Sequence, residues 1–199
     1  MQYRMKQEKS MTSGKRKQLD QSVLASLVRK LDEKGIPAQD FAMHIDVDGT
    51  WYHQGAPIKR DSLVRLFASI LTRLDNGEYW LVTPVERGRI DVVDVPFVIT
   101  SMATEGEGKA REISFVTNIG DAVSLGPDHP LIIREGSRPD EPRPYLLVRG
   151  GLEARLSRSV FYELAEMAEI DENGQAGIWS AGQFFSLSLP VDNAGDHHE

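Results

Sequence analysis

His44-Ile-Asp-Val-Asp48-Gly49-Thr-Trp-Tyr-His53 alternates around an Asp-Gly pair, a strong short-range signal for a β-hairpin. Read as a two-residue turn at Asp48-Gly49, it pairs Val47 with Thr50, Asp46 with Trp51, Ile45 with Tyr52 and His44 with His53. Side chains of a strand alternate between faces. Ile45, Val47 and Tyr52 then share one face, and His44, Asp46, Trp51 and His53 share the other. The first face has to pack on a helix. The second gathers two imidazoles, a carboxylate and an indole: a platform on which Trp51 could stack a ligand, a His/His/Asp metal site, or a solvated face at a domain contact. The pairing does not make three ligands converge, so no metal site is assigned.

Helices flank this hairpin. Asp20 can cap the first, in which Leu24, Leu27, Val28 and Leu31 recur at helical spacing, and Gly35 with Pro37 ends it. A second helix is predicted over 61–74 from the stripe Leu63, Leu66, Phe67, Ile70, Leu71 and Leu74, stopped by Asp75-Asn76-Gly77. A strand follows over 79–83. Further along, 89–93, 97–104, 112–117, 131–134, 145–148 and 152–156 read as short strands punctuated by Gly and Pro. A helix over 158–170 and strands at 178–179 and 184–189 close the pattern.

Two stretches repeat one grammar. A hairpin turning at Gly49 leads to Arg60, Leu63 and Leu66, then Asn76-Gly77 and a strand with Trp80; a hairpin turning at Gly150 leads to Arg158, Phe161 and Leu164, then Asn173-Gly174 and a strand with Trp179. One such unit buries little surface, so pairing two stabilises both. The expected fold is α+β, two domains from a duplicated hairpin–helix–strand core. The strand count before the last helix suits a small antiparallel barrel in the C-terminal half. The expected divisions are a basic, disordered tail over 1–18, an N-terminal α+β domain over 19–88, a barrel-like domain over 89–190 and a polar tail over 191–199.

Composition narrows the function classes. The chain has 199 residues, no cysteine and a net charge of −7. Disulfides and thiolate chemistry are therefore absent, which suits a reducing cytoplasm. No apolar run is long enough to span a bilayer, and the N-terminus lacks the apolar stretch of a secretory signal. Residues 1–18 carry +5, with Met1, Met5 and Met11 as alternative starts, leaving −12 on the rest. A body that acidic repels a phosphate backbone, which argues against nucleic acid as a partner.

Few residues suggest chemistry. Arg60 and Arg158 both precede helices, where a cation opposes the macrodipole and so answers a partner: an internal carboxylate, or an anion held jointly with helix amides. Arg87, Arg149 and Asn118 could complete such an anion or nucleotide pocket. His53 and Glu86 are the candidate bases if the protein is a hydrolase-type or metal-dependent enzyme. Gly106-Glu-Gly108-Lys109 lacks the spacing of a phosphate loop, and Asp46-Val-Asp48-Gly49 lacks the later glutamate of a calcium loop. No catalytic arrangement stands out, and no cofactor is implied.

Gly49-x-Trp51, Pro57-Ile58, Leu63-Val64-x-x-Phe67-Ala68, Leu81-Val-Thr-Pro-Val85-Glu86, Phe115-x-Thr117-Asn118, His129-Pro130-Leu131, Leu152-Glu-Ala154 and Gly177-Ile-Trp-Ser180-x-Gly182-x-Phe184-Phe185 together resemble the bacterial family called domain of unknown function 1285. The resemblance runs over 35–189. It implies a duplicated core, a C-terminal domain like a pleckstrin-homology fold, a nucleotide-like ligand at the domain interface and a signalling role; it supplies no catalytic residues. The expected function is thus non-enzymatic binding of a small anionic or nucleotide-like ligand, with a signalling protein as a further partner. Trp51 would stack, Arg60 and Arg158 would hold negative charge, and Glu86, Asn118 and Trp179 would shape the pocket. A protein-interaction module without a small ligand is the alternative.

Overall fold

The structure, a computed structural model, describes residues 20–136 and 141–189. The two tails expected at 1–18 and 191–199 lie outside the described residues. Helix α1 (Gln21–Glu33) forms as its sequence directs: the Asp20 carboxylate accepts from the Ser22 amide, and Leu24, Val28 and Leu31 are its buried stripe. It ends where Gly35 turns left-handed (φ +68°) and Ile36 N–H reaches back to Leu31 O at 3.0 Å.

Strands β1 (Gln39–Ile45), β2 (Trp51–His53) and β3 (Ala56–Pro57) make one antiparallel meander; after helix α2 (Asp61–Ser69), β4 (Leu71–Arg73), β5 (Tyr79–Val82) and β6 (Arg87–Val92) make another. They join through parallel β1 and β6 into a six-stranded sheet of order β3-β2-β1-β6-β5-β4. The second half repeats this plan. Strands β7 (Phe97–Glu105), β8 (Glu112–Thr117), β9 (Ala122–Ser124), β10 (Leu131–Glu135), β11 (Pro142–Arg149) and β12 (Leu152–Leu156) form a sheet of order β10-β11-β12-β7-β8-β9, joined through parallel β12 and β7. Helix α3 (Arg158–Glu166) then leads to a separate three-stranded sheet, β13 (Glu169–Ile170), β14 (Ala176–Ser180) and β15 (Gln183–Ser186). The fold is mixed α+β and mostly sheet. Strand β6 belongs to the first sheet, so the seam falls in 93–96 rather than between 88 and 89.

The hairpin register differs from the expected one. Asp46 N–H donates to Thr50 O (2.9 Å) and Gly49 N–H to Asp46 O (2.9 Å), which makes a three-residue loop ending in left-handed Gly49 (φ +78°). Ile45 therefore pairs with Trp51, His44 with Tyr52 and Met43 with His53. That one-residue shift changes the face of every side chain on the returning strand. Trp51 joins Ile45 inside, at 1% exposure and stacked on Phe67, while His44 stacks on Tyr52 with ring centroids 4.6 Å apart on the other face. The grouping of His44, Asp46, Trp51 and His53 on one face is thereby corrected.

The helices are shorter than their apolar stripes. Helix α2 ends at Ser69 because Leu71–Arg73 pairs with 79–81, and Val82 N–H donates to Ile70 O at 3.1 Å. Helix α3 ends at Glu166 for the same reason, as Glu169–Ile170 pairs with 176–177. The repeat also shifts by one residue. Segments 61–92 and 158–189 run in step without a gap. Helix starts coincide at Asp61 and Arg158, left-handed glycines at Gly77 and Gly174, and hairpin closures at Thr83/Glu86 and Ser180/Gln183. Arg60 is the N-cap residue of α2; its counterpart on α3 is Ser157, not Arg158.

One core spans both halves, uniting Ile45, Trp51 and Leu71 with Phe97, Phe115, Leu146 and Leu164. The buried core is therefore continuous between the two halves. A smaller cluster seats α1 on Val82 and Trp80.

Candidate ligand cavity

Helix α2 carries an apolar stripe of which only Ala68 is buried. The reason lies beneath it: Leu63, Phe67 and Ile70 form the roof of a cavity of about 510 Å³. Phe41 and Met43 of β1, Leu81 of β5 and Ile58 make the floor and walls; Asp40, His53, Gln54, Thr83 and Glu86 provide the polar part of the lining. The size falls in the range of small-ligand pockets, and the mostly apolar lining with a few polar groups is their usual composition.

Ala42 (φ +48°) and Gln54 (φ +51°) of the wall are left-handed without being glycine, as is Ala181 (φ +49°), which does not line the cavity. Gln54-Gly55 and Ala181-Gly182 are the central pairs of two-residue hairpin turns, closed by His53/Ala56 and Ser180/Gln183, where that conformation is the ordinary one. Ala42 lies in no such turn, and its conformation costs about 1–2 kcal/mol. Gln54 N–H donates to Ala42 O at 2.8 Å, and Ala42 N–H to Asp40 Oδ1 at 2.7 Å, so the two residues hold one another. Between Asp40 and His44 the pairing with β6 skips register, which swings Phe41 over Gly88. A Cβ at Gly88 would lie 2.5 Å from the Phe41 ring, so only glycine leaves room for that wall.

The structure divides the sequence-predicted residues among several places. His53 and Glu86 come together in this cavity. Trp51 and Asn118 line a hollow of about 160 Å³ at the seam between the halves. There Asn118 donates to Gly49 O (3.1 Å) and accepts from Val98 N–H (3.1 Å); a Cβ at Gly49 would meet its Nδ2 at 2.6 Å. Arg149 also clasps the seam, donating to Asp121 Oδ2 and to Ala68 O near the C-terminal end of α2, both at 2.9 Å, with its guanidinium over the Phe97 ring. Burial pulls its pKa below the ordinary arginine value, opposed by Asp121. Arg87 is buried under α1, paired with Asp32, donating to Ile36 O at 3.3 Å and lying over Trp80.

Arg158 lies 76% exposed, 3.6 Å from Glu141, in a groove of about 410 Å³ with Arg143, Arg155 and Tyr162. Arg60 is exposed at the start of α2. Trp179 lies beneath Lys109 Nζ (4.6 Å from the ring centroid) on the third sheet. The cavity residues that sequence reasoning did not single out are Asp40, Phe41, Ala42, Met43 and Gln54, with the stripe of α2 taken as core. Among the described residues no group of three His, Cys, Asp or Glu could hold a metal ion, and no helix is long and apolar enough to cross a membrane.

A three-sheet α+β protein with a hydrogen-bonded seam and an apolar cavity in its first half is the class these features define. Family models divide the chain at the same seam: residues 36–95 match the domain of unknown function DUF1285, N-terminal domain, and 96–187 the protein of unknown function DUF1285, C-terminal domain. The chain belongs to this family. A crystal structure of a DUF1285 family protein from Silicibacter pomeroyi DSS-3 is 42% identical, covering 75% of this chain and 81% of that one with a TM-score of 0.70. Another, from Shewanella baltica OS155, is 28% identical, covering 62% of this chain and 90% of that one with a TM-score of 0.49. No curated protein matches the chain.

Proposed function

We propose that this protein is a non-enzymatic small-ligand receptor whose site is the cavity beneath α2, and that binding there serves a signalling role. The observation that carries the reading is a largely apolar space of about 510 Å³ under Leu63 and Phe67 of α2, where the matching residues Val160 and Leu164 of α3 are buried. Ala42, left-handed outside any two-residue turn, borders this space, and such backbone strain is commonly tied to function. The test is Nile red, a neutral apolar dye whose fluorescence rises in such sites. The wild type is expected to bind it saturably, and Leu63→Trp, which fills the roof, is expected to abolish binding while leaving the fold intact. Equal binding by both proteins would end this reading.

A second reading, a nucleotide-like ligand at the seam, is supported by a buried donor without a partner in the lining of the hollow, Trp51 Nε1, with a second at the seam but outside that lining, Arg149 Nε. A buried donor left unpaired costs about 1–3 kcal/mol, which an accepting ligand would recover. The hollow of about 160 Å³ suits one small group rather than a whole nucleotide. Thermal stabilisation by nucleoside phosphates, lost in Arg149→Lys, is the expected result, and none in the wild type would remove it. A pleckstrin-homology-like barrel in the second half belongs with this reading; the third sheet contacts the second through β14 on β8 and β15 on the edge strand β10, which supports a partly closed barrel.

A further inference from the structure

We infer that the occupant of the α2 cavity is an amphiphilic amine: an apolar body enclosed by the aromatic and aliphatic walls, and a protonated amino head at the mouth. The inference rests on the cavity being a ligand site and adds the chemical class. The charged residues lining it are Asp40 and Glu86, both acidic, and no described lysine or arginine lines it. They come from separate elements, Asp40 from the bulged start of β1 and Glu86 from the β5–β6 turn.

One Asp40 oxygen accepts from Ala42 N–H, and the Glu86 side chain makes no hydrogen bond or ion pair with the described residues. Two carboxylates beside an apolar void repel an anionic ligand and attract a cationic one. Phe41 and Phe67 in the walls add faces on which an ammonium or its adjacent methylene groups can rest. A phosphate or carboxylate head would meet repulsion and, apart from the exposed His53, no basic side chain among the described residues of the lining. The side-chain amide oxygen of Gln54 completes a mouth able to accept hydrogen bonds from an ammonium.

The experiment is competition against Nile red by four compounds sharing an octyl chain, with amine, hydroxyl, carboxylate and phosphate heads. Octylamine is expected to displace the dye at concentrations about fivefold below octanol, the gain of one exposed ion pair, with the two anions weaker than octanol. Glu86→Gln, at an exposed position, is expected to erase most of the advantage of the amine while leaving octanol unchanged; Asp40→Asn, which keeps an acceptor for Ala42, is expected to act in the same direction. Anions binding as well as the amine, or Glu86→Gln weakening all four alike, would overturn the amine assignment while leaving the cavity a ligand site. Failure of Nile red itself to bind would remove the site and this assignment together.

Discussion

Phe67 on α2 and Leu164 on α3 occupy the same place in two copies of a helix followed by a three-stranded meander. Phe67 is half-buried over a void, whereas Leu164 has no accessible surface at all. The same contrast runs along both helices. Leu63 is half-buried where its counterpart Val160 is 2% exposed. At the hairpin closure, Thr83 accepts from the Glu86 amide of its own turn. Its counterpart Ser180 is fully buried, donating to Leu125 O (2.9 Å) and accepting from Ile113 N–H (3.1 Å). In the second copy, chain from β8 and the end of β9 closes over the corner; in the first, no described residue does so. The void is therefore no by-product of the helix–meander plan, because the same plan packs solid when a neighbouring strand supplies apolar side chains.

The largest test of this contrast is truncation of the two counterparts. Leu164→Ala removes a side chain from a filled core and is expected to cost about 2–5 kcal/mol in urea unfolding. Phe67→Ala widens an existing void and gives up half-buried surface, so about 1–2 kcal/mol is expected. Equal losses would mean that the cavity is closed in solution and would break the comparison.

Enlargement should reverse the sign between copies. Leu63→Trp fills empty space and is expected to leave stability unchanged or raise it by about 0.5–2 kcal/mol. Val160→Trp overpacks a closed site and is expected to lose about 1–3 kcal/mol. Loss in both would place the missing volume elsewhere. At the hairpin closure, Ser180→Ala strands the Ile113 amide and is expected to cost about 1–2 kcal/mol, whereas Thr83→Ala at a half-exposed turn is expected to cost less than about 0.5 kcal/mol. A midpoint shift of the same size for both would mean that Ser180 is as solvated as Thr83.

The two copies also bear on what the residues disclose before folding. Helix α1 was legible from Asp20 to Gly35 because its cap, stripe and stop all act within the helix itself. The hairpin at Gly49 was legible as a hairpin but not in its register. Asp-Gly fits the centre of a two-residue turn and equally the end of a three-residue loop, and only tertiary burial of Trp51 decides between them. The ends of α2 and α3 were overrun because Ile70, Leu71 and Ile170 suit a helical stripe as well as a strand, and pairing with the following strand wins. The cavity was only half visible. His53 and Glu86 stood out as polar candidates, but an apolar stripe states what a helix avoids, not whether side chains or a ligand will meet it.

The smallest difference between the copies lies in their tight turns and is read by pH. In the second copy Asp171 opens the turn, its carboxylate accepting from the Gln175 amide (2.8 Å) and the Asn173 amide (2.9 Å). Those hydrogen bonds, the Gln175 one foremost, hold its pKa below the ordinary aspartate value. At the matching place in the first copy stands Leu74, which has no such group, although the backbone bonds of the turn are the same: Leu74 N–H to Glu78 O in one and Asp171 N–H to Gln175 O in the other, both 2.9 Å. A carboxylate whose folded pKa is depressed stabilises the fold above its unfolded pKa and loses that contribution as pH falls through the folded value. Asp171→Leu, which installs the residue of the first copy, is therefore expected to lower stability slightly at neutral pH. The difference from wild type should shrink as pH falls below the ordinary carboxylate range, because the wild type then loses what the variant never had. Urea midpoints of the two proteins measured down that range read the effect directly. A gap that stays constant with pH would show that the Asp171 side chain contributes by shape rather than by charge, and that the two turns differ only in their backbone surroundings.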